Sequence, residues 1–389
     1  MGLGSFLQNK RKKTQMKKIF TLVMAAGLGL TAQAQSNGFY HIQNTLTGRY
    51  MIMVDNSAGT TSSAGNIDME SVKTNLDLDY VNTHAGSVVY VTSLGGTSYD
   101  VAAQGTSLSK LSGNRLNAQV KAEGEGYVIW GTYSGTTVYL GDASNQDKND
   151  NYKEWSYIKE AGQKNRYWKF HKIDNSTHFL GIEPDVKDGN GNYWGSMYFG
   201  FPFKTYSDGM KVYYVEDAGN SEFVLKEWTG STVPAAMPVI IRCSSDDPED
   251  NIINPLPMSD NVSEAKYGSD HHLYGRYFDN TDTGHENYKA YDSNTMRVIG
   301  VESGELVFTK ASSDYLTSGK YMPHNKAWLE VPSGAKSTLV SGTSGIASTV
   351  SETTTADDAL YTLTGVKLPK NVTPKAGIYI KNGKKVVIK

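Results

Sequence analysis

Four stretches of the chain share one pattern: an apolar or aromatic strand, a tight polar turn, and a second strand that contains an aromatic residue. They are FYHIQNTLTGRYMIMV, VVYVTSLGGTSYDVAAQG, YVIWGTYSGTTVYLGDA and YWKFHKIDNSTHFLGIE. Their starts at Phe39, Val88, Tyr127 and Tyr167 are 49, 39 and 40 residues apart. Each stretch is predicted to form a β-hairpin. A repeat near forty residues indicates units that bury their apolar faces against one another, so we predict an all-β fold.

Residues 1–34 are predicted to be a secretory signal. A basic start precedes the apolar run IFTLVMAAGLGL, and a small-x-small site, AQA, follows it. Cleavage is expected between Ala34 and Gln35, and Met16 is an alternative start of translation. Because the run is too short to anchor a protein in a bilayer, we predict no integral membrane span in the mature chain.

The charge balance argues against a nucleic-acid partner. The formal net charge is −2, and residues 1–34 contain six Lys or Arg and no acid, so the mature chain carries −8. Binding to phosphates needs a clustered positive surface. The single cysteine, Cys243, excludes an intramolecular disulfide. It ends an apolar strand, so we interpret it as a small buried residue and not as a nucleophile.

The first hairpin, within GFYHIQNTLTGRYMIMVDN, resembles the opening of a ricin-type β-trefoil repeat. The likeness covers residues 36–190, and we assign residues 35–190 to a β-trefoil-like domain. The resemblance implies a sugar-binding domain, although the Gln-x-Trp signature of that family does not occur in the chain. Three hairpins complete a trefoil, so the fourth either closes the barrel or begins the next domain.

Residues 191–340 are predicted to form a β-sandwich with two related halves. TGSTVPAAMPVIIR and TSGKYMPHNKAWLEV align as Gly-x-x-x-Pro-x-x-x-(Pro or Ala) followed by an apolar strand, and a further strand precedes each of them. Two facing sheets would produce such a pattern. The region resembles a β-rich module, without assigned chemistry, that recurs near the C-termini of large secreted surface proteins.

The C-terminal end is predicted to be a separate small unit. Residues 341–358 are rich in Ser and Thr and read as a linker, and residues 359–389 contain three predicted strands. The unit resembles the C-terminal sorting domain of the type IX secretion system, which implies secretion machinery as a partner and an extracellular or surface location. An ordinary last hairpin is the alternative. The matching residues are Gly365, Gly377, Tyr379, Asn382, Gly383 and Lys389.

No catalytic motif, cofactor site or metal site is predicted. The chain contains no Gly-x-Ser-x-Gly elbow, His-Glu-x-x-His helix or phosphate loop. His271, His272 and His285 lie near several acids, which is compatible with a metal site, but the surrounding composition favours a solvated loop. The stretch DVKDGNGN is interpreted as a turn, because Val186 occupies a position where a calcium loop needs an oxygen ligand.

Tryptophan supplies the candidate ligand-binding residues, since an exposed ring stacks well on a sugar. Trp155 and Trp194 lie in polar settings, whereas Trp130 and Trp168 alternate with apolar neighbours, as core residues do. The sequence thus predicts an exported, non-catalytic surface or secreted protein that binds carbohydrate or another extracellular ligand, such as a host surface. The alternatives are a secreted hydrolase of polysaccharide or protein, and a structural subunit of a surface layer.

Overall fold

The chain divides into two compact units, Met1–Gly342 and Thr343–Lys389. The predicted signal segment with Ala34 and most of the predicted linker lie outside the described residues. The computed structural model describes residues 35–53, 72–107, 119–124, 126–133, 136–142, 155–158, 164–262, 272–276, 289–342, 360–362, 368, 374, 377–381 and 384–388.

Among the described residues, eleven strands form the first sheet of the larger unit. They are β1 (Gly38–Asn44), β2 (Tyr50–Met53), β3 (Val72–Asn75), β4 (Val89–Gly95), β5 (Ser98–Ala103), β6 (Thr106–Ser107), β7 (Gln119–Glu123), β8 (Gly126–Tyr133), β9 (Thr136–Asp142), β10 (Trp155–Ile158) and β11 (Trp168–Lys172). A short helix, Leu78–Thr83, and two 3-10 helices, Ala85–Ser87 and Lys164–Arg166, lie between them.

Six of these strands close into an antiparallel barrel. Pairing runs from β1 to β4, β5, β7, β8 and β11, and β11 pairs with β1 again. The paired strands β2 and β3 lie between β1 and β4 in sequence, and β9 and β10 lie between β8 and β11. The all-β prediction is confirmed, and a closed six-stranded barrel with pairs of outer strands is compatible with the trefoil-like prediction.

Alternating side chains fill the barrel interior, as a half-buried strand requires. Tyr40 and Ile42 of β1 point into the same core as Trp168 and Phe170 of β11. The ring of Phe170 stacks on that of Tyr127, with centroids 4.2 Å apart. The intervening residues of each strand face outward, and these outward faces carry the site described below.

Three of the four predicted hairpins are confirmed, as β1–β2, β4–β5 and β8–β9. The fourth is wrong. Its first half, β11, pairs with β1 and β8, while its second half pairs with a strand of another sheet. The stretch therefore closes the barrel and then begins the next sheet, because the partners of β11 are distant strands and not its neighbour in sequence.

The described residues of the second part of the larger unit form thirteen strands. They are β12 (Leu180–Gly181), β13 (Val186–Lys187), β14 (Tyr193–Met197), β15 (Phe203–Thr205), β16 (Lys211–Ala218), β17 (Glu222–Glu227), β18 (Val239–Cys243), β19 (Ile252–Pro255), β20 (Leu273–Gly275), β21 (Met296–Glu302), β22 (Glu305–Thr309), β23 (Ala327–Glu330) and β24 (Thr338–Ser341), with 3-10 helices Pro248–Asp250 and Met258–Asp260. Ten strands form a curled sheet in the order β13-β14-β18-β16-β17-β24-β22-β21-β23-β20, and β12, β19 and β15 form a small sheet.

The curled sheet contains the two related halves that the sequence predicts. In the first half the hairpin β16–β17 is followed by β18, which pairs with the other side of β16. In the second half β21–β22 is followed by β23, which pairs with the other side of β21. The halves are parts of one sheet and not two separate sheets, because β24 pairs with both β17 and β22. Their inner faces share a core in which the rings of Phe223 and Phe308 meet edge to face.

A strained residue recurs at the same place in both halves. Ala236 has φ +62° and Asn325 has φ +54°, and each lies in the aligned loop that leads into β18 or β23. Asparagine tolerates this left-handed conformation, but alanine does so at a cost of about 1–2 kcal/mol. The loop pattern of the sequence marks the repeat, whereas the strain at Ala236 is visible only in the structure.

The substitution Ala236→Gly is expected to stabilise the larger unit by about 0.5–1 kcal/mol, because glycine removes the strain at the expense of a more flexible unfolded chain. Urea unfolding measures the change. Ala235→Gly is the matched control: Ala235 has an ordinary φ and is buried, so its loss of a methyl group should destabilise the protein. A variant Ala236→Gly no more stable than the original chain would contradict the assignment of strain.

The smaller unit is a three-stranded antiparallel sheet, as the sequence predicts. Its strands are β25 (Leu360–Thr362), β26 (Gly377–Lys381) and β27 (Lys384–Ile388), with β26 in the centre. Gly377 pairs with Ile388 and Tyr379 pairs with Val386. The predicted turn residues Asn382 and Gly383, together with Gly365 and Lys389, lie outside the described residues.

Candidate functional site

The predicted tryptophans whose side chains the structure describes occupy different settings. Trp168 is 1% exposed, and its Nε1 donates a hydrogen bond to the Leu140 carbonyl at 3.2 Å, so its core interpretation is confirmed. Trp194 is half-buried. Trp130 is also half-buried, with Lys121 Nζ 5.3 Å from its ring centroid. Trp155 begins β10, and its side chain lies outside the described residues.

The stretch interpreted as a turn is confirmed as one. Its Asp188 carboxylate accepts hydrogen bonds from the Asn190 and Asn192 amides, the Asn192 side chain and Trp194 Nε1, at 2.8–3.0 Å. Partial burial opposes ionisation, but these donors hold the pKa of Asp188 below its ordinary value. The carboxylate oxygens and the indole N–H of Trp194 are thus used within the fold.

Two further interpretations concern reactive residues. Cys243 is buried, as expected, and burial raises the pKa of its thiol to about 12, so it remains a protonated core residue. In the part of the chain that the structure describes, no group of three His, Cys, Asp or Glu side chains is arranged to hold a metal ion. His272 is half-buried beside β20, whereas His271 and His285 lie outside the described residues.

A groove of about 300 Å³ lies between the outer face of the barrel and residues 256–259 of the second part. Its position follows from the alternation of the barrel strands. Phe39, Tyr90 and Asp100 face outward because their neighbours Tyr40, Val89 and Tyr99 fill the barrel core. Phe39 pairs with Tyr90 across β1 and β4, and Asp100 pairs with Thr92 across β4 and β5. Antiparallel pairing therefore collects aromatic and polar side chains from three strands on one surface.

Three aromatic rings form the apolar part of this groove. The ring centroids of Phe39 and Tyr90 are 4.9 Å apart, and those of Phe39 and Phe201 are 6.1 Å apart. Phe39 and Tyr90 are half-buried, so each ring is partly covered by the fold and partly available to a ligand. Met258, which is 47% exposed, lies on the opposite wall.

Gln104 provides a buried polar group in the lining. Its side chain is 4% exposed, and its Oε1 accepts a hydrogen bond from the Gly200 amide at 2.7 Å. This contact fixes the orientation of the side-chain amide, and its Nε2 has no hydrogen-bond partner among the described residues. A buried donor without a partner costs free energy, so such groups are rare unless a water or ligand satisfies them.

The backbone around Gln104 is held in place by close packing. A Cβ atom at Gly105 would lie 2.8 Å from the Gly200 carbonyl oxygen, and one at Gly200 would lie 2.5 Å from the Gln104 carbonyl oxygen. Both positions therefore require glycine. Gln104 itself has φ +47°, a conformation that non-glycine residues seldom adopt outside sites that need it.

Asp100 is the only ionisable acid, and no Lys, Arg or His contributes, among the described residues that line the groove. The site therefore carries a formal charge of −1. It combines aromatic rings with carboxylate, hydroxyl and amide groups, which suits a ligand with an apolar face and several hydroxyls. Glycoside hydrolysis generally uses two carboxylic acids, and this lining supplies one.

Sequence reasoning missed this site. Phe39 and Tyr90 belong to the predicted hairpins, but a hairpin pattern alone does not show which side chains face outward. Gln104 lies at the end of a hairpin and belongs to no motif. The alternation of Phe39 with Tyr40, and of Tyr90 with Val89 and Val91, is the signal that identifies the outer face.

The helices among the described residues are all too short or too polar to cross a bilayer.

No protein-family model matches the chain, and no curated protein matches it. Among solved structures it is similar to a mosquitocidal holotoxin at 13% sequence identity, over 77% of this chain and 35% of the toxin chain, with a TM-score of 0.21. This chain therefore spans about a third of the length of that toxin chain. A likeness at this level establishes neither a shared fold nor a shared activity.

Proposed function

We propose that the protein is an exported, non-catalytic binding protein whose groove takes a carbohydrate. The observation that carries the proposal is the combination, in one groove, of the Phe39 and Tyr90 rings with the buried Gln104 Nε2, for which the described part of the chain offers no hydrogen-bond partner. A sugar presents an apolar face for the rings and hydroxyl groups that accept from an amide and donate to a carboxylate. The sorting-domain resemblance and the signal segment support the exported location.

The charge of the groove defines the class of sugar. Asp100 would repel a carboxylate ligand, and no cation in the lining compensates for it. Neutral or amino sugars are therefore expected to bind better than uronic or sialic acids. An amino sugar would place its positive charge near Asp100, which adds a charge-assisted hydrogen bond.

The test is binding of the full mature chain to an array of neutral, amino and acidic oligosaccharides, followed by calorimetry with the best of them. Tyr90→Ala is expected to weaken binding about tenfold, because stacking on an aromatic ring contributes about 1–1.5 kcal/mol. Asp100→Asn is expected to reduce the preference for neutral and amino sugars over acidic ones.

Tyr206→Ala is the matched control, because this tyrosine is 56% exposed and does not line the groove. Binding by Tyr206→Ala should equal that of the original chain. Failure of every sugar to bind, or equal binding by the Tyr90→Ala and Tyr206→Ala variants, would reject the groove as a carbohydrate site. Loss of binding in Trp155→Ala alone would instead favour the surface that the sequence predicts.

A further inference from the structure

The chain crosses from the barrel to the second part through residues 173–179, the crossover segment. Ile173 donates its amide to the Phe39 carbonyl of β1 at 2.9 Å. Asn82, in the short helix of the barrel part, donates its side-chain amide to the Thr177 carbonyl at 3.1 Å. On the other side, Asn175 Nδ2 donates to Asn254 Oδ1 of β19 at 2.7 Å. The segment therefore binds to both parts of the larger unit.

A cluster of histidines fastens this segment to the barrel. The ring of His178 lies between His41 of β1 and His171 of β11, with ring centroids 5.4 and 4.5 Å away. His41 Nδ1 and His178 Nδ1 are 3.3 Å apart, and the Tyr50 ring borders all three histidines. His41 is fully buried, and its Nε2 has no hydrogen-bond partner in the described part of the chain.

The contacts of the cluster are incompatible with protonation of both His41 and His178. A hydrogen bond between two Nδ1 atoms needs one donor and one acceptor, so it is lost when both rings are protonated. His171 Nε2 lies 2.8 Å from Gln43 Oε1 and carries the proton there, which leaves Nδ1 of His171 as the atom that would take a second one. Two protons in the cluster would also place like charges within about 5 Å in a poorly solvated site.

The surrounding charges compensate only partly for positive charge on the three histidines. Lys169 adds to the repulsion on His171, whereas Asp174 favours the charged form of His178. Tyr50 and Gln43 are the remaining polar groups of the cluster. A second histidine pair, His84 from the barrel part and His324 from the loop before β23, also spans the joint, with ring centroids 4.5 Å apart.

We propose that the His41–His171–His178 cluster is an acid-sensitive latch whose protonation releases the crossover segment from the barrel. The groove belongs to the same joint: Phe39 and Ile173 pack on the core that also contains Phe199 and Phe201 of the second part. Because Ile173 bonds to the backbone of Phe39, release of the segment in acid removes a support of one residue that lines the groove. The consequence for ligand binding rests on the proposed function, but the release of the segment does not.

The direction of the pH dependence follows from the protonation states. Burial, followed by repulsion from His178 and Lys169, lowers the pKa of His171 to about 4, and burial lowers the pKa of His41 and His178 as well. A histidine with a lowered pKa is neutral in the closed state and takes up its proton on release. The latch is therefore closed above pH about 6.5, the ordinary histidine value, and opens progressively as the pH falls toward 4.

Hydrogen exchange of the full mature chain tests the latch. Protection factors, corrected for the intrinsic effect of pH, are compared between pH 7 and pH 4.5. The amides of Ile173 and Phe179 are expected to lose at least tenfold in protection at pH 4.5, while the core amides of β7 and β8 keep theirs. Equal protection at the two pH values, or simultaneous loss throughout the barrel, would overturn the proposal.

Variants separate the latch from general acid sensitivity. The glutamine in His178→Gln cannot be protonated. This variant should therefore lose most of the difference in protection of the Ile173 amide between pH 7 and pH 4.5. His272 lies beside β20, outside the cluster, so His272→Gln should leave the difference in protection of the Ile173 amide unchanged. A chain with His272→Gln that behaves like His178→Gln would refute the assignment. If His178→Gln fails to fold, the comparison of the unsubstituted chain at pH 7 and pH 4.5 still tests whether acid releases the crossover segment.

A sugar identified on the array allows the two proposals to fail separately. Release of the segment at pH 4.5, without binding of any sugar at pH 7, would support the latch and reject the groove as a carbohydrate site. Sugar binding that is lost at pH 4.5 together with protection of Ile173 would support both. Sugar binding at pH 7 with unchanged protection at pH 4.5 would reject the latch alone.

Discussion

Replacing Arg49 with methionine is expected to lower the free energy of unfolding of the larger unit by about 3–5 kcal/mol. The Arg49 and Asp142 side chains are only 3% and 0% exposed, and Arg49 Nη1 lies 3.6 Å from Asp142 Oδ1. Thr47 also donates a hydrogen bond to this carboxylate. Methionine fills similar space but leaves the Asp142 charge buried without its cation, which is the costly state.

The double variant Arg49→Met, Asp142→Leu is expected to recover most of the loss, because it removes both charges and not one. Lys211→Met is the control for an exposed pair: Lys211 and Glu227 are 42% and 46% exposed, so the change should stay below about 1 kcal/mol. Denaturant unfolding of these three variants and of the original chain measures the changes in the free energy of unfolding. A loss in Arg49→Met as small as that in Lys211→Met would contradict the buried pair.

The second large effect is expected at Arg297, whose side chain is 1% exposed. Its guanidinium donates to the carbonyls of Ser293, Met296, Ala335 and Lys336 at 2.8–3.2 Å. Arg297→Met is expected to cost about 3 kcal/mol or more, because it removes charge-assisted hydrogen bonds and leaves buried carbonyls without donors. Chemical denaturation measures the loss.

Two comparisons isolate the guanidinium at Arg297. Arg297→Lys should retain part of the stability, since an ammonium group reaches fewer of the four carbonyls than the planar fork does. Arg242→Met, in the half-buried setting of β18, should change stability by less than about 1 kcal/mol. If Arg297→Met were as mild as Arg242→Met, the hydrogen bonds to the carbonyls would not be structurally important.

The sequence predicts the local architecture of this protein well. Adjacent strands with a Gly-rich turn, such as β4 and β5, are recognisable because their partners are neighbours in the chain. The related halves are recognisable because the loops before Val239 and Ala327 keep the same spacing. In contrast, β11 pairs with β1, which lies more than a hundred residues earlier. A local sequence pattern cannot identify a partner strand at that distance. The fourth hairpin was therefore predicted wrongly.

The candidate sites depend on non-local contacts and were less predictable. His41 and His178 are separated by 137 residues, so their contact has no local signature, whereas the adjacent His271 and His272 attract notice in the sequence. Trp168, one of the candidate tryptophans, is buried in the barrel, as the alternation with its apolar neighbours indicates. The aromatic groove instead uses Phe39 and Tyr90, whose direction is fixed by alternation and whose enclosure needs the second part of the unit.

The position of β24 determines when the curled sheet can assemble. This strand is the last of the larger unit, yet it lies in the centre of the sheet, parallel to β17 through Glu222↔Val340 and antiparallel to β22. During synthesis each half can form its own hairpin, but the two halves can join into one sheet only after residues 338–341 have been made. Pairing over such a separation is slow. If the chain is exported, as we propose, this delay would favour its passage through a narrow translocation pore before the sheet is complete.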